Sequence, residues 1–280
     1  GLQDLHPFTL AARQTDRAAK QMFRWQTFRP ADVVVSNASQ QTLQPLSTAA
    51  LLTPQPALVA QGLIGRRVSY TAGVARGNAG AAADNNDHKD LYYTVRWKVG
   101  GLGLDGTYDT GRGPVPGGHG QLFDRALVLE QFGYRGAEPA GGAMADPWHA
   151  VGVAARLYMG HLDLGAGYVV RQDDRPFGAA AAGAMRSRSL FGKAEYAVQP
   201  WLFGSLKAER FDVDVPASVR SLGYTGGRFG ETRLMPGVYA LLRQNMRVVV
   251  ESEFHARHEV SAASSAPRPA TVWFRLDLAF

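Results

Sequence analysis

The strongest constraint on this chain is a repeated alternation of apolar and polar residues, in segments of about ten residues. In "LYYTVRWKV", the residues on one face are Leu91, Tyr93, Val95, Trp97 and Val99, with mostly polar residues between them. The same alternation recurs in segments 151–158, 162–168, 190–198, 202–209, 234–243, 246–255 and 271–280. A period of two is that of a β-strand with one apolar and one polar face. The sequence therefore predicts an all-β fold.

The connections between these segments differ in length. Tight turns are predicted at 65–67, 159–161, 199–201 and 244–246, and long loops at 77–88, 135–147, 172–186, 213–230 and 258–269. Short and long connections at alternate ends are typical of an up-and-down membrane barrel. To keep this alternation, residues 89–106 are predicted as one long strand, because a turn at Gly100–Gly101 would place two long loops in succession. The expected strand count is about 12–14, the higher values including a strand in "HPFTLAAR".

Charged residues occupy the middle of the polar faces. We predict that they line a pore: Arg96, Lys98, Arg156, Lys193, Glu195, Lys207, Glu209, Arg247, Glu251, Glu253, Arg275 and Asp277. Burying so many ions in a dry core is costly unless each is paired, and a water-filled lumen removes that cost. Backbone groups in lipid then require a sheet without open edges. The fold class predicted is a closed antiparallel up-and-down transmembrane β-barrel, forming one domain over residues 1–280.

Composition and charge narrow the function classes. The chain has no cysteine, which excludes disulfides, thiolate metal sites and covalent haem, and we predict neither a cofactor nor a metal site. The chain contains no apolar run of about 18 residues, so no membrane-spanning helix is expected. The start, "GLQDLHPF", lacks signal-peptide features and is interpreted either as a mature N-terminus or as an artificial starting point. Segment 30–54 is interpreted as a long polar loop, either outside the barrel or folded into its lumen.

The formal net charge is +6, and inward basic residues are expected to match or exceed inward acids. Such a wall favours anion passage. The same charge is compatible with an acidic partner or with lipopolysaccharide at the loops. Nucleic acid is not expected as a partner, because the basic residues form no patch interleaved with exposed aromatics.

The last residues, "TVWFRLDLAF", carry a terminal aromatic preceded by apolar residues at alternate positions. This pattern resembles the C-terminal signature of Gram-negative outer-membrane β-barrels, which the barrel-assembly machinery reads. The matching residues are Val272, Phe274, Leu276, Leu278 and Phe280. The resemblance implies an outer-membrane, porin-like barrel in contact with outer-membrane lipid and lipopolysaccharide.

A second likeness lies in "YTAGVARGN" and the Asn/Asp-rich stretch that follows it. It resembles porin-like barrels that accompany multihaem cytochromes in extracellular electron transfer. The resemblance implies a barrel that scaffolds or ensheathes a multihaem cytochrome, with this cysteine-free chain as the sheath and not the haem carrier.

Three short motifs have competing interpretations. "GLGLDG" matches a dinucleotide fingerprint, but no βαβ unit surrounds it, so its glycines are interpreted as strand glycines. "DNNDHKD" resembles a calcium loop but has Lys89 where an EF-hand requires glycine, so a solvated turn is the default. "ESEFHARH" places Glu251, Glu253 and His255 on one strand face, and outer-membrane hydrolases use acidic and histidine side chains on strands. We interpret these residues as an ordinary charged wall.

Three functions remain open from the sequence. The leading one is a non-enzymatic channel for small hydrophilic solutes. The second is a barrel that holds a partner such as a multihaem cytochrome. The third is an outer-membrane hydrolase.

Overall fold

The structure is a computed structural model that describes residues 35–36, 42–43, 57–76, 88–104, 125–140, 144–177, 183–222, 227–243, 246–259 and 270–278. Its strands are β1 (Val35–Ser36), β2 (Thr42–Leu43), β3 (Ala57–Ile64), β4 (Val68–Ala75), β5 (Asp90–Gly100), β6 (Ala126–Ala140), β7 (Met144–Met159), β8 (Leu162–Asp173), β9 (Met185–Gln199), β10 (Leu202–Asp214), β11 (Arg228–Arg243), β12 (Met246–Glu259) and β13 (Thr271–Leu278). One short 3-10 helix, Ala217–Leu222, follows β10.

Strands β3 to β13 form one sheet of 11 strands in which every strand pairs with its sequence neighbours. All of these pairings are antiparallel, which confirms the all-β, up-and-down architecture. Within the described part of the chain, β3 and β13 are the two edges of this sheet. The further strand predicted in "HPFTLAAR" lies outside the described residues. Within segment 30–54, β1 and β2 form a separate antiparallel pair.

Tight connections lie at one end of the sheet, which we call the turn end. They join β3 to β4, β7 to β8, β9 to β10 and β11 to β12. The first connection is the three residues 65–67; Gly65 and Arg66 have φ of 53° and 60°, and Arg67 N–H donates to Ile64 O at 3.2 Å. Two consecutive positive φ angles are those of a type I′ turn, whose twist matches the flanking strands. The opposite end is the loop end.

The prediction of one strand over 89–106 is wrong, because β5 ends at Gly100. Gly100 and Gly101 have φ of 80° and 57°, which the extended conformation of a strand does not allow. Arg67 Nη1 donates to the carbonyl oxygen of Gly100 at 2.6 Å, and Leu104 N–H donates to Arg66 O at 2.9 Å. These bonds tie residues 100–104 to the β3–β4 turn, so β5 ends at the turn end, where β6 also begins.

The predicted long loop over 135–147 is also wrong. Strands β6 and β7 remain paired up to Ala140 and Met144, and only residues 141–143 connect them. Pro139 and Pro147 suggested a loop, since proline cannot donate to a strand ladder. Inward aromatic and ionic contacts, described below, stabilise this extension of the hairpin at the loop end.

The two faces of the sheet differ in composition and in exposure. The apolar face carries large hydrophobic side chains that are exposed along strands β3 to β13, as the alternation predicted: among them Leu58, Tyr70, Trp97, Val153, Leu190, Leu206, Val238, Val250 and Phe274. The polar face carries buried ions and two clusters of buried apolar residues. A soluble protein buries its apolar face, so this sheet is inverted relative to a soluble core. No helix in the described ranges is both long enough and apolar enough to span a membrane.

Candidate functional site: the polar face of the sheet

The structure places the predicted pore-lining residues on one face. Each belongs to a polar-face position of strands β5, β7, β9, β10, β12 or β13, as their cross-strand partners show. Asp277 is paired in register with Arg247, although its side chain is outside the described part. The sequence alternation therefore assigned these positions to the correct face; that they line a pore remains a prediction.

Towards the turn end, four ions on three neighbouring strands form one cluster. Arg156 on β7 binds Asp163 on β8 through both carboxylate oxygens, with Nε at 2.7 Å from Oδ1. Lys193 on β9 lies 2.7 Å from Glu195 Oε2 and 3.9 Å from Asp163 Oδ2. The four side chains are almost fully shielded from solvent in the described structure. Their charges cancel, which lowers the cost of holding them together.

Arg247 extends this charged region on β12. It is 1% exposed, and its guanidinium carbon lies 5.1 Å from the ring centroid of Tyr239 on β11. Tyr239 in turn stacks on Phe203 of β10, with centroids 4.7 Å apart. The cation therefore rests against an aromatic platform, an arrangement that favours arginine over lysine.

Towards the loop end, Arg233 on β11 lies among three carboxylates. Its guanidinium nitrogens are 3.1 Å from Glu209 Oε2, 3.5 Å from Glu253 Oε1 and 4.0 Å from Glu231 Oε1. These acids belong to three strands, β10, β12 and β11, so one cation links the side chains of three strands. Nearer the middle of the sheet, Lys207 Nζ is 2.7 Å from Glu251 Oε2 across the intervening strand.

His255 bears on the hydrolase hypothesis. Its Nδ1 lies 2.6 Å from Glu231 Oε1 and its Nε2 lies 3.2 Å from Glu253 Oε1. A general base needs one ring nitrogen within reach of the hydroxyl or water that it activates. Here a carboxylate occupies the hydrogen-bonding position of each nitrogen, and Ser252 lies on the opposite face by strand alternation. Both ring nitrogens of His255 are thus held by carboxylates of the polar face.

A third group stacks aromatic rings between charges at the loop end. The rings of Tyr134 and Trp148 lie nearly parallel with centroids 4.6 Å apart. Tyr134 O–H donates to Asp90 Oδ2 at 2.5 Å, and the Arg171 guanidinium carbon lies 4.0 Å from the Trp148 ring centroid. Arg171 also binds Asp173, 2.6 Å away. This stack joins β5, β6, β7 and β8 and extends the β6–β7 hairpin beyond the predicted strand ends.

Eight further charged members of the polar face were not among the predicted pore-lining residues, although the alternation had placed Asp163 and Arg233 on this face. They are Asp90, Glu130, Asp146, Asp163, Arg171, Asp173, Glu231 and Arg233. Strand parity identifies most of them, once the extended ends of β6, β7, β8 and β11 are known. The sequence did not show which face of β6 carries Glu130. The register pairs Glu130 with Arg96 of β5, and their side chains form an ion pair at 3.2 Å, so Glu130 lies on the polar face.

The added residues change the expected charge of this face. Among the side chains that the structure describes on this face, nine are basic and ten are acidic, so this described part of the polar face is close to neutral. The described basic and acidic side chains are thus nearly equal in number, and an excess of basic residues over the whole wall stays a prediction. Part of the positive charge of the protein lies on the apolar face at the loop end.

The resemblance at the C-terminus involves the apolar face of β13. Val272, Phe274 and Leu276 are exposed on this face, at 67%, 73% and 48%. Leu278 ends the strand, with its side chain outside the described part, and Phe280 lies outside the described residues. No group of three or more His, Asp or Glu side chains in the described ranges is placed to hold a metal ion. In "DNNDHKD", residues 84–87 lie outside those ranges.

Comparisons with known proteins give little further information. No protein-family model matches the chain, and no curated protein matches it. Among solved structures, the chain is similar to a porin refined at 1.8 Å, with a TM-score of 0.48 and 12% sequence identity. The alignment covers 89% of this chain and 72% of the porin chain. At this similarity, the fold assignment rests on the strand order and registers described above.

Proposed function

We propose that the chain forms a closed barrel in the outer membrane of a Gram-negative bacterium and acts as a passive channel for small hydrophilic solutes. One observation carries the proposal: a single 11-stranded sheet exposes its large hydrophobic side chains on one face and carries most of its charged side chains on the other. Extended exposed apolar surface of this kind marks contact with a membrane or a partner. Closure follows from the physics of lipid, where an open sheet edge has unsatisfied backbone groups.

The strand number sets the scale of the lumen. The lower end of the expected strand count is 12, one more than the 11 strands of the described sheet. A barrel of 12 strands spaced about 4.8 Å apart and tilted by about 40° has a backbone diameter of roughly 24 Å. Barrels of about eight strands are filled by their side chains, whereas about 16 strands leave a wide aqueous channel. A barrel of intermediate size holds a narrow channel whose width depends on how the wall side chains lie. The ion pairs on the polar face hold Arg156, Lys207 and Arg233 along the wall.

The near-neutral wall supports weak selectivity in place of the anion preference expected from net charge. Paired ions of both signs alternate from the turn end to the loop end of the polar face. Hydrophilic solutes of either sign then meet complementary groups along the path. The proposed function includes no catalytic step, because both ring nitrogens of His255 face carboxylates in the described part of the chain.

The proposed partners follow from the same two faces. Outer-membrane lipid and lipopolysaccharide would contact the apolar face, and the barrel-assembly machinery would read the C-terminal strand through Val272, Phe274, Leu276, Leu278 and Phe280. A multihaem cytochrome in the lumen remains an alternative proposal. It rests on the resemblance in "YTAGVARGN".

Planar-bilayer recording of the purified, refolded chain tests the proposal. We expect discrete conductance steps that are small relative to those of wide porins, and a gel mobility that changes on boiling. A stable, heat-modifiable barrel without conductance would contradict the channel and favour a partner-filled lumen. A haem absorbance in protein purified from its native membrane would identify that partner class. Equal mobility before and after boiling, with helical circular dichroism, would contradict the barrel itself.

A further inference from the structure

A compact arginine cluster interrupts the apolar face at its loop end. Strands β9, β10 and β11 carry six charged side chains here: Arg186, Arg188, Arg210, Asp212, Asp214 and Arg228. We propose that this arginine cluster binds the phosphate groups of a lipid headgroup in the outer leaflet of the membrane. The proposal rests on the proposed membrane barrel, and it assigns a lipid site to a defined part of its surface.

Strand registers bring the six residues together. Asp214 is paired with Arg186 on one side and Arg228 on the other, and Asp212 is paired with Arg188. Arg188 Nη2 lies 2.9 Å from Asp214 Oδ2, and Arg228 Nη2 lies 3.5 Å from Asp212 Oδ2. Residues directly opposite on paired strands project from the same face. The cluster is therefore one continuous surface across three strands.

The charges in this cluster do not balance. Four guanidinium groups meet two carboxylates, which leaves an excess of two positive charges. Arg188, Arg210 and Arg228 remain between 32% and 50% exposed while they contact the aspartates. Guanidinium groups bind phosphate through two parallel hydrogen bonds, so arginine suits a phosphate ligand better than lysine does.

The position of the cluster indicates a lipid and not a free anion. Directly towards the turn end, the same three strands expose Leu190, Leu206, Leu234 and Val238 on the apolar face. On these strands, no charged residue occupies an apolar-face position between Arg210 and the turn end in the described part. A ligand with a phosphorylated headgroup and acyl chains matches this order of charges above hydrocarbon-facing residues.

An alternative is that the cluster only stabilises the sheet through cross-strand ion pairs. Exposed pairs of this kind contribute about 0–1 kcal/mol each, and two arginines would satisfy two aspartates. Stabilisation of the sheet by cross-strand ion pairs therefore does not require the excess of two positive charges in this cluster. The two interpretations predict different effects of removing Asp212 and Asp214. If the cluster only stabilises the sheet, their removal lowers the stability of the protein. If the cluster binds phosphate, their removal raises the affinity for the phosphorylated lipid.

The test compares lipid binding by the refolded full chain in neutral detergent, measured by native mass spectrometry. The probes are diphosphorylated lipid A and the same lipid with both phosphates removed. The variants are Arg186→Gln with Arg188→Gln, and Asp212→Asn with Asp214→Asn. A control that loses the same charge at the turn end is Arg66→Gln with Arg125→Gln.

We expect the wild type to prefer the phosphorylated lipid. The Arg186/Arg188 variant should lose about tenfold or more in affinity, because charge-assisted hydrogen bonds are worth about that factor each. The Asp212/Asp214 variant should bind more tightly, and the turn-end control should bind as the wild type does. Equal binding of both lipids, or an unchanged Arg186/Arg188 variant, would overturn the proposal.

Two further measurements show whether a negative result concerns the lipid site or the barrel. Micromolar inorganic phosphate that displaces the lipid would show a free-phosphate site and overturn the lipid assignment. Gel mobility with and without boiling is recorded on the same samples. A heat-modifiable protein without phosphate preference refutes the lipid site alone, whereas a protein without heat modification refutes the barrel and the lipid site together.

Discussion

Arg233 on β11 lies 3.1 Å from Glu209 on β10 and is the central cation of the loop-end part of the polar face. Two more carboxylates, those of Glu231 and Glu253, lie within 4.0 Å of the same guanidinium. Replacing Arg233 by glutamine leaves these three acids without that cation and makes the local wall more negative. In a water-filled lumen, one unit charge at 4–8 Å is worth about 0.5–1 kcal/mol.

We therefore expect Arg233→Gln to raise the permeability of cations relative to anions by a factor of about two to five. The measurement is the reversal potential under a salt gradient in planar bilayers. Arg66→Gln, at the turn end, is the matched control and should leave the ratio near that of the wild type. An unchanged ratio, or a shift towards anions, would show that Arg233 does not face the permeation path.

A substitution at Gly73 tests the packing of the polar face. It lies directly opposite Tyr92, and a Cβ added at Gly73 would stand 2.5 Å from Cζ of that ring. Gly73→Ala should therefore displace the ring and destabilise the protein by about 1–3 kcal/mol. At Gly204 no atom lies within 4 Å of an added Cβ, so Gly204→Ala should be neutral or slightly stabilising. Unfolding midpoints in urea compare the two, and equal shifts would contradict the packing described here.

Trp148 tests the extended β6–β7 hairpin. It is 3% exposed and is packed between Tyr134 and Arg171. Trp148→Ala should cost about 3–5 kcal/mol and open the hairpin to protease between residues 138 and 146. Trp97→Ala is the control, since Trp97 is 50% exposed on the apolar face. Cleavage at the same rate in both variants would mean that the aromatic stack does not stabilise this hairpin.

Phe280 tests the resemblance to outer-membrane assembly signals. Phe280→Ala should slow insertion by reconstituted barrel-assembly machinery and leave spontaneous folding into thin lipid vesicles unchanged. Phe254→Ala removes a comparable ring from the apolar face of β12 and should not affect machine-assisted insertion. Insertion is followed by the heat-modifiable gel shift. Equal insertion rates for the two variants would contradict the proposal that the assembly machinery recognises Phe280.

The alternation of residues predicted the strands and their faces well because side-chain direction in a strand depends only on parity. It placed Leu91 and Arg96 on opposite faces, as the structure does. Strand ends were harder to predict because they depend on distant contacts. Arg67 binds the chain after Gly100, and Trp148 stacks on Tyr134, yet neither contact leaves a local sequence pattern.

The acidic members of the site were harder to predict for the same reason. Arg171 and Asp173 lie near the predicted strand end at residue 172, so they were not assigned to the polar face. Asp163 was on the correct face but was not counted as part of the wall. Its ion pair with Arg156 depends on the β7–β8 register, which the turn at Gly160 sets. Sequence periodicity therefore predicts which face a residue occupies better than it predicts the partner of that residue.

The central claim, lipid on one face and water on the other, is tested most directly with single cysteines, since the chain has none of its own. Val250 on the apolar face is 43% exposed, and the Glu251 side chain on the polar face is 24% exposed in the isolated chain. The two variants are Val250→Cys and Glu251→Cys, each reconstituted in liposomes and treated with a membrane-impermeant charged maleimide. The account predicts rapid labelling at position 251 and almost none at 250. Faster labelling at position 250, the order of exposure in the isolated chain, would contradict it.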